Sequence, residues 1–198
     1  MQSAPNSELR GKVCEAYSAA ANSPTEKHPF PVGRAFAESL GYPAALLDTL
    51  PPAAVEAFAG ISNVSLIAEI PEGATVLDLG CGAGLDSLIA ARRAGRSGRV
   101  IGIDFSDTML ERARKAAQEA AVPNATFEHA DAEHLPLDDA CIDVAVVNGI
   151  FNLNPAREFI FSELARVLKR GGVAYSAELI LASHLPPSIK QTESDWFA

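Results

Sequence analysis

Short apolar runs alternate with amphipathic helical segments from Ala74 onward, and this alternation limits the fold more than any other feature of the chain. Five strands are predicted at residues 74–79, 99–103, 125–129, 142–147 and 173–181, with helices at 86–94, 107–121 and 154–168. The fourth run is almost wholly apolar, which is typical of a strand covered on both faces of a parallel sheet. Lys169-Arg170-Gly171-Gly172 is predicted to end the last helix, with cations in its final turn and glycine at its cap. Strands that alternate with helices predict an α/β chain with a doubly wound, mostly parallel sheet.

Residues 1–66 have a different pattern. Apolar residues fall at helical spacing on one face of a predicted first helix, and Tyr17 lies on that face. Prolines follow, which favour an extended chain, and only short helical stretches come before the sheet. A chain of 198 residues is long enough for one sizeable core and short for two. We therefore predict an N-terminal helical lid, residues 1–66, on a single compact core, residues 67–198.

The charge balance disfavours some partners. Lys and Arg total 16 against 25 Asp and Glu, a formal charge of −9, and no basic cluster is longer than Arg92-Arg93 or Lys169-Arg170. Because phosphate binding needs a concentrated basic surface, a nucleic-acid partner is disfavoured. No run approaches the roughly 20 apolar residues that cross a bilayer, and the polar residues 1–6 do not resemble a secretory leader. We expect a cytoplasmic protein with neither a nucleic-acid nor a membrane partner.

The cysteines are odd in number and widely spaced: Cys14, Cys81 and Cys141. They include no CxxC pair and no arrangement with histidine that is typical of zinc ligands. We expect neither a disulfide framework nor a metal site.

The segment 76–86, V-L-D-L-G-C-G-A-G-L-D, places three glycines where the first predicted strand turns into a helix. An open α/β sheet binds ligands at this edge, beyond the carboxyl ends of its strands. Gly80, Gly82 and Gly84 permit positive φ and a close approach of backbone to a ligand. Asp104 ends the second predicted strand, where a carboxylate can accept both hydroxyls of a ribose. The alternative is a purely structural turn, in which Asp104 only caps the next helix.

The glycine spacing also separates two ligand classes. A dinucleotide site usually reads G-x-G-x-x-G and cradles a pyrophosphate, whereas here G-x-G-x-G follows Asp78. A carboxylate at that point repels a pyrophosphate and can help to hold a cationic amino-acid group. The pattern favours an adenosyl amino acid over NAD, and an NAD-type oxidoreductase is the weaker alternative.

Together these motifs resemble those of the class I S-adenosylmethionine-dependent methyltransferases, over about residues 74–181. The resemblance is carried by Asp78-x-Gly80-x-Gly82-x-Gly84, Asp104, Asp131-Ala132-Glu133, Asp143 and Leu168-Lys169-Arg170-Gly171-Gly172. It implies a Rossmann-like sheet and S-adenosylmethionine as cofactor. By the same resemblance, the glycines line the methionine and ribose part of the cofactor, and Asp104 holds the ribose. The resemblance also implies that Met109 packs on the adenine and that Asp131 and Ala132 face the adenine amino group. It places Asn148 near the methyl group. The predicted cofactor-binding set is Asp78, Gly80, Cys81, Gly82, Gly84, Asp104, Phe105, Met109, Asp131, Ala132 and Asn148.

A finer resemblance is to the arsenite methyltransferase-like branch, through Gly84-Leu85-Asp86, the segment 148–155 and the loop 59–63. That branch binds trivalent arsenic through thiolates, yet this chain has Ile61 and Gly149 where two of those cysteines are expected. An aliphatic side chain and a glycine cannot bind a soft thiophilic centre. Cys81 and Cys141 are interpreted as small core residues. Cys14 can reach the site if the first helix folds over it.

Two residues are predicted on the acceptor side. Tyr17 can close over a sulfonium by a cation–π contact, or it can be an ordinary core residue. Glu178, toward the end of the fifth strand, is a candidate for orienting or deprotonating an acceptor. We predict in-line methyl transfer to a small-molecule acceptor, a reaction in which good alignment is worth on the order of 7 kcal/mol or more. The alternatives are a catalytically silent S-adenosylmethionine-binding module and an arsenite methyltransferase with a non-standard thiol set.

Class I methyltransferases finish their sheet with an antiparallel hairpin after the fifth strand. Residues 182–198 follow the fifth predicted strand here, and Pro186-Pro187 interrupts them. We expect the hairpin to be missing, as in a truncated form, or to be completed differently. Since an open strand edge with the apolar run 177–181 can pair with another chain, we also expect a homodimer through the strand-five edge.

Overall fold

The computed structural model describes residues 4–180, with side chains from residue 8 onward. Its centre is a parallel sheet of five strands in the order β3-β2-β1-β4-β5. The strands are β1 (Thr75–Leu79), β2 (Arg99–Asp104), β3 (Ala125–His129), β4 (Ile142–Asn148) and β5 (Leu168–Ala177). The predicted fold class, an α/β Rossmann-like parallel sheet, is confirmed.

Helices cover both faces of this sheet. They are α1 (Ala4–Asn22), α2 (Arg34–Ser39), α3 (Ala44–Leu47), α4 (Pro52–Val55), α5 (Val64–Ile67), α6 (Leu85–Ala94), α7 (Asp107–Glu119) and α8 (Arg157–Val167), with a 3-10 helix at Phe151–Leu153. Successive strand side chains point to opposite faces. Val76 and Val100 therefore pack with α6 and α7, whereas Leu77 and Ile103 pack with α8.

Residues 34–70 pack into the same hydrophobic cluster as α6 and α7. Two arginines of α6 reinforce this contact: Arg92 donates to the Thr49 carbonyl at 2.8 Å, and Arg93 donates to the Leu66 carbonyl at 3.2 Å. Helix α1 contributes to a separate, smaller cluster. The part of the N-terminal region that lies outside the main core is therefore α1, while the predicted boundary at residue 66 stays a prediction.

The carboxyl ends of three neighbouring strands lie at one level of the sheet. Leu79 at the end of β1 is in register with Ile103 of β2 and Val147 of β4. After β1 the chain continues to β2 on one side, and after β4 it continues to β5 on the other. The strand order therefore reverses between β1 and β4, and doubly wound sheets bind ligands at such a switch point.

The predicted start of the fifth strand, and the assignment of residues 169–172 to a helix cap, are wrong. Helix α8 ends at Val167, and β5 begins at the next residue, five residues earlier than predicted. Gly171 has φ +86° and lies with Gly172 in an irregular part of the β4–β5 register. Lys169 donates to both carboxylate oxygens of Asp143 at 2.8 Å. The lysine thus joins two strands, and the glycines allow β5 to bend.

The fifth predicted strand extends to Leu181, which lies outside the described residues, as does Pro186-Pro187. Within residues 4–180, β5 has no neighbour on its outer side. Over the same range, no helix is long and apolar enough to cross a bilayer.

Candidate cofactor and acceptor site

A cavity lies over the carboxyl edge of β1, β2 and β4, and α1 forms part of its wall. It contains about 1090 Å³ of space between protein atoms, counting the part open to solvent. The predicted cofactor-binding residues that line it are Asp78, Gly80, Cys81, Gly82, Asp104, Phe105, Met109, Asp131, Ala132 and Asn148. Gly84 instead lies at the N-cap of α6, where an added Cβ would be 3.0 Å from that of Ala113.

The glycine turn is tied to β2 and presents bare backbone to the cavity. Gly80 and Gly82 have φ of +76° and +51°. The Ile103 carbonyl accepts hydrogen bonds from the N–H groups of Gly80 at 2.8 Å and Cys81 at 3.0 Å. A Cβ on Gly80 would collide with the side chain of Ile150. Both the conformation and the available space at residue 80 therefore require glycine.

The Asp104 carboxylate is buried at the end of β2. One oxygen accepts from the Gly82 N–H at 2.8 Å, and the other accepts from the Ser106 N–H at 2.9 Å. Burial raises the pKa of Asp104, and these backbone bonds oppose that shift. The Phe105 backbone also contributes a hydrogen bond, and since an ionised carboxylate has about four acceptor positions, acceptor capacity remains for a ligand. Since Ser106 itself caps α7 through its side chain, Asp104 is free to serve a ligand.

Asp78, in β1 just before the glycine turn, lines the cavity and is buried. Its carboxyl group accepts a hydrogen bond from the Ser87 hydroxyl. Burial is the main cause that raises the pKa of Asp78, and the nearby charge of Asp86 adds to it. A cationic ligand group beside this carboxyl would favour its ionised form.

Asp86 is a site residue that sequence reasoning missed. Its buried carboxyl group accepts from the Tyr42 hydroxyl at 2.5 Å, from the Asn148 side-chain amide at 2.9 Å and from the Ser65 hydroxyl. Burial raises the pKa of Asp86, and these three bonds oppose the shift. Its place beside Gly84 was visible in the sequence, but an acid in the first turn of a helix is usually explained by the helix dipole.

Asn148 fixes the loop that leads into the acceptor side of the cavity. Its Oδ1 accepts from the N–H groups of Ile61 at 2.9 Å and Ser62 at 3.1 Å. Its Nδ2 donates to the Ser62 carbonyl at 2.7 Å and to Asp86. Asn148, which was predicted to lie near the methyl group, thus lines the cavity and also sets the position of this loop.

The side of the cavity predicted to hold adenine combines apolar and acidic residues. Met109 is fully buried there, and Phe105 and Ala132 are partly exposed. Asp131 is more open to solvent, with 46% of its side chain exposed, and pairs with Arg10 of α1. The arrangement can cover a flat ring and offer a carboxylate oxygen to an amino group.

The two predicted acceptor-side residues occupy different positions. Tyr17 lines the cavity and stacks on Phe30 with ring centroids 4.4 Å apart. Burial raises the pKa of Tyr17, and the charges of Asp104 and Glu178 add to the shift, so its hydroxyl stays protonated. Glu178 accepts from the Phe151 N–H at 2.9 Å and thereby caps the 3-10 helix. Burial raises the pKa of Glu178. Catalytic roles for Tyr17 and Glu178 stay predictions.

Comparison with known proteins identifies the family. A family model described as a methyltransferase domain matches residues 70–197. The chain belongs to this methyltransferase family. Its parallel sheet places it among the class I enzymes, whose methyl donor is S-adenosylmethionine.

The relatives act on different acceptors. The arsenite methyltransferase of Halobacterium salinarum is 33% identical over 131 residues, which cover 66% of this chain and 34% of that protein. The demethylmenaquinone methyltransferase of Lactococcus lactis is 37% identical over 100 residues, which cover 50% of this chain and 40% of that protein. CrArsM, an arsenic(III) S-adenosylmethionine methyltransferase from Chlamydomonas reinhardtii, has a TM-score of 0.61 at 30% identity and is matched over 81% of this chain and 52% of its own. The methyltransferase domain thus spans about a third of the length of the first curated relatives that it matches.

The residues of this chain fit the family's cofactor. Bare backbone at Gly82 leaves space for a ligand, since an added Cβ there would have Met109 Sδ as its nearest neighbour, at 4.0 Å. Asp104 has spare lone pairs for ribose hydroxyls, and Asp78 can balance a cationic amino-acid group. The buried Met109 and the pair Asp131 and Ala132 offer an apolar surface and a hydrogen-bond acceptor for adenine.

Proposed function

We propose that this methyltransferase domain transfers a methyl group from S-adenosylmethionine to a small, uncharged acceptor at the Gly60–Gly149 side of the cavity. One observation carries the proposal: the glycine turn, the Asp104 carboxylate and an apolar wall border a single cavity at the switch point of the sheet. S-adenosylmethionine, when bound, supplies a methyl group on a sulfonium. Because this displacement depends on alignment and on excluding water, an enclosed cavity is the feature that the chemistry requires.

The cofactor side of the proposal assigns each residue one task. The turn at Gly80 and Gly82 admits the methionine and ribose part, and Asp104 accepts the ribose hydroxyls. Asp131 and Met109 hold the adenine. Tyr17 keeps its proton, so it acts as a hydrogen-bond donor or presents its ring face to a cation, and it does not act as a base.

The acceptor side of the cavity is apolar. Phe58, Ile150 and Leu153 line it together with Gly60 and Gly149. This surface favours a compact apolar or aromatic acceptor, since burying such a group against it removes apolar area from water.

The charges around the cavity disfavour an anionic acceptor. Four acidic residues line it: Asp78, Asp86, Asp104 and Asp131. The cation among the described lining residues is Arg10, and it is already paired with Asp131. An anionic acceptor would therefore find no unpaired cation among the described lining residues to offset its charge.

The arsenite alternative has support from its relatives but lacks a set of thiols here. Arsenite methyltransferases are among the relatives that match this chain. A Cβ added to Gly149 would lie 3.2 Å from Ile61 Cγ1, so the two positions predicted to carry cysteines are neighbours. Cys81 lines the cavity, but burial raises the pKa of its thiol well above the ordinary value. A single protonated thiol is a poor arsenic ligand.

Calorimetric titration with S-adenosylmethionine and, separately, with NADH tests the cofactor proposal. We expect micromolar binding of S-adenosylmethionine and none of NADH. Asp104→Ala should weaken the binding at least tenfold, about 1.4 kcal/mol, because a charge-assisted bond to the ribose is lost. Asp107→Ala is the matched control, since 71% of the Asp107 side chain is exposed only three residues away. Circular dichroism of each variant checks that it is folded.

Turnover is then measured as S-adenosylhomocysteine released with a panel of neutral apolar acceptors, anionic acceptors and arsenite. Release with a neutral acceptor supports the proposal. Tight binding with no release from any acceptor supports the silent binding module instead, and release with arsenite alone supports the arsenic alternative. A folded wild type that does not bind S-adenosylmethionine refutes all three.

A further inference from the structure

Arg10 connects α1 to the adenine side of the cavity. Its guanidinium pairs with Asp131 and lies 3.4 Å from a carboxylate oxygen of Glu133. Both acids belong to the segment that follows β3, and Arg10 itself lines the cavity. Its side chain is 35% exposed, so this contact is open to water at the cavity mouth.

Apolar packing and further polar contacts also hold α1 on the core, since Ala21 and Tyr17 pack in a small cluster with Ala57 and Met109. Ser18 and Ser106 share a hydrogen bond of 2.9 Å, and Tyr17 stacks on Phe30. Ser106 follows two residues after Asp104, so this contact lies at the ribose side of the cavity. These contacts of Arg10 and Ser18 thus lie at opposite ends of the predicted adenosine subsite.

We propose that Arg10 is a positioning residue that retains the cofactor, by holding α1 across the adenosine end of the cavity and by orienting the Asp131 carboxylate toward the adenine amino group. The proposal rests on the proposed binding of S-adenosylmethionine. An ionised carboxylate has about four acceptor positions, so Asp131 can accept from Arg10 and from adenine at the same time. Binding of the cofactor and closure of α1 then stabilise each other.

The proposed role of Arg10 affects the rate at which the cofactor dissociates more than the rate at which it associates. The cofactor can enter while α1 is displaced, but it leaves only after the contact between Arg10 and Asp131 has broken. A partly exposed, paired arginine is worth a modest amount, so we expect Arg10→Ala to release the cofactor about five- to tenfold faster. Association should change less than about twofold, because most differences within one site appear in the dissociation rate.

Stopped-flow measurement of S-adenosylmethionine dissociation tests this prediction in the full chain. Arg10→Lys keeps the charge but not the planar fork, so it should recover part of the wild-type rate. Lys115→Ala is the charge-matched control, because Lys115 is 69% exposed and pairs only loosely with Glu119, at 3.8 Å. Added salt should accelerate release from the wild type and leave Arg10→Ala nearly unchanged.

Hydrogen exchange of α1 supplies a second readout that does not depend on activity. S-adenosylmethionine should protect the α1 amides in the wild type and in Lys115→Ala, and much less in Arg10→Ala. Equal dissociation rates in the wild type and Arg10→Ala overturn the proposal. An equal acceleration by Lys115→Ala also overturns it, since net charge would then be the cause. A wild type that binds no S-adenosylmethionine refutes the proposed function as well, whereas binding with an unchanged dissociation rate refutes only the role of Arg10.

Discussion

Replacing Asp86 by alanine is expected to destabilise the methyltransferase domain by about 2–4 kcal/mol. The carboxyl group is buried and accepts three hydrogen bonds, from Tyr42, Ser65 and Asn148. A typical buried hydrogen bond contributes about 1 kcal/mol net, and a donor left without its acceptor costs more. Tyr42 and Asn148 also bond to the Ser62 carbonyl, at 3.1 Å and 2.7 Å. Because the Ser62 carbonyl remains as their acceptor, the loss in unfolding free energy should be smaller than the cost of three unsatisfied donors.

Urea unfolding followed by circular dichroism measures this loss. Asp86→Asn keeps the shape and one acceptor oxygen, so it should cost about half as much, roughly 1–2 kcal/mol. Combining Asp86→Ala with Tyr42→Phe should give a double-mutant coupling energy of about 1 kcal/mol. Asp107→Ala, at an exposed position, is the control and should change stability by less than about 0.5 kcal/mol. A loss below about 1 kcal/mol for Asp86→Ala would refute the claim that this carboxyl group connects the loop 60–65 to β4.

Three further outcomes are expected. Ala121 has φ +51°, a left-handed conformation that is unfavourable for alanine, and its N–H and that of Val122 close the turn that ends α7. Ala121→Gly should therefore raise the free energy of unfolding in urea by about 1 kcal/mol. Ala120→Gly, at an ordinary helical φ, should not raise it. Burial raises the pKa of Asp78, so the folded chain binds a proton that the unfolded chain releases. This contribution is complete below about pH 4 and is lost as pH rises through the folded pKa. Between pH 5 and 8, the wild type should therefore lose stability relative to Asp78→Asn, by at most about 1.4 kcal/mol per pH unit, and parallel pH profiles would contradict this. Finally, the outer side of β5 is open within residues 4–180, and Val173 is 46% exposed. We therefore expect two chains to pair through this edge, so light scattering should give twice the mass of one chain. A strictly monomeric folded species would exclude this pairing.

Local patterns in the sequence predict the strands and the level at which their loops open. The sequence places β1 to β4 to within a residue at each end, and for β4 the reason is that burial on both faces needs an almost wholly apolar run. Since parallel strands align their carboxyl ends, the glycine turn, Asp104 and Asn148 were expected to lie together, and they line one cavity. The start of β5 was missed because Lys169 and the following glycines also fit a helix end. Lys169 instead pairs with Asp143, a residue of the neighbouring strand β4 that is distant in sequence.

Contacts between residues far apart in sequence could not be predicted in this way. Asp86 takes its partners from residues 42, 65 and 148, and no local spacing reveals that they meet. Glu178 was expected at the acceptor side, but its carboxylate caps a 3-10 helix that the sequence pattern does not indicate. Arg10 lies on the polar side of an amphipathic helix, where a solvated charge is the ordinary interpretation, and its partner Asp131 is 121 residues away.

The N-terminal residues of the methyltransferase domain therefore serve the cavity in two physically different ways. Residues 34–70 share the main core, and three hydrogen bonds of Asn148 fix the loop 61–62, so this wall cannot move without disrupting buried contacts. Helix α1 is held by a smaller apolar cluster, in which Ala21 packs with Ala57 and Met109, and by partly exposed polar contacts of low individual worth. In our proposal, this wall sets which acceptor fits, and α1 sets how long the cofactor stays. Substitutions near residue 60 or 149 should consequently change acceptor choice, while substitution of Arg10 on α1 should change exchange rates, because residues 60 and 149 line the apolar side of the cavity and Arg10 pairs with the segment after β3.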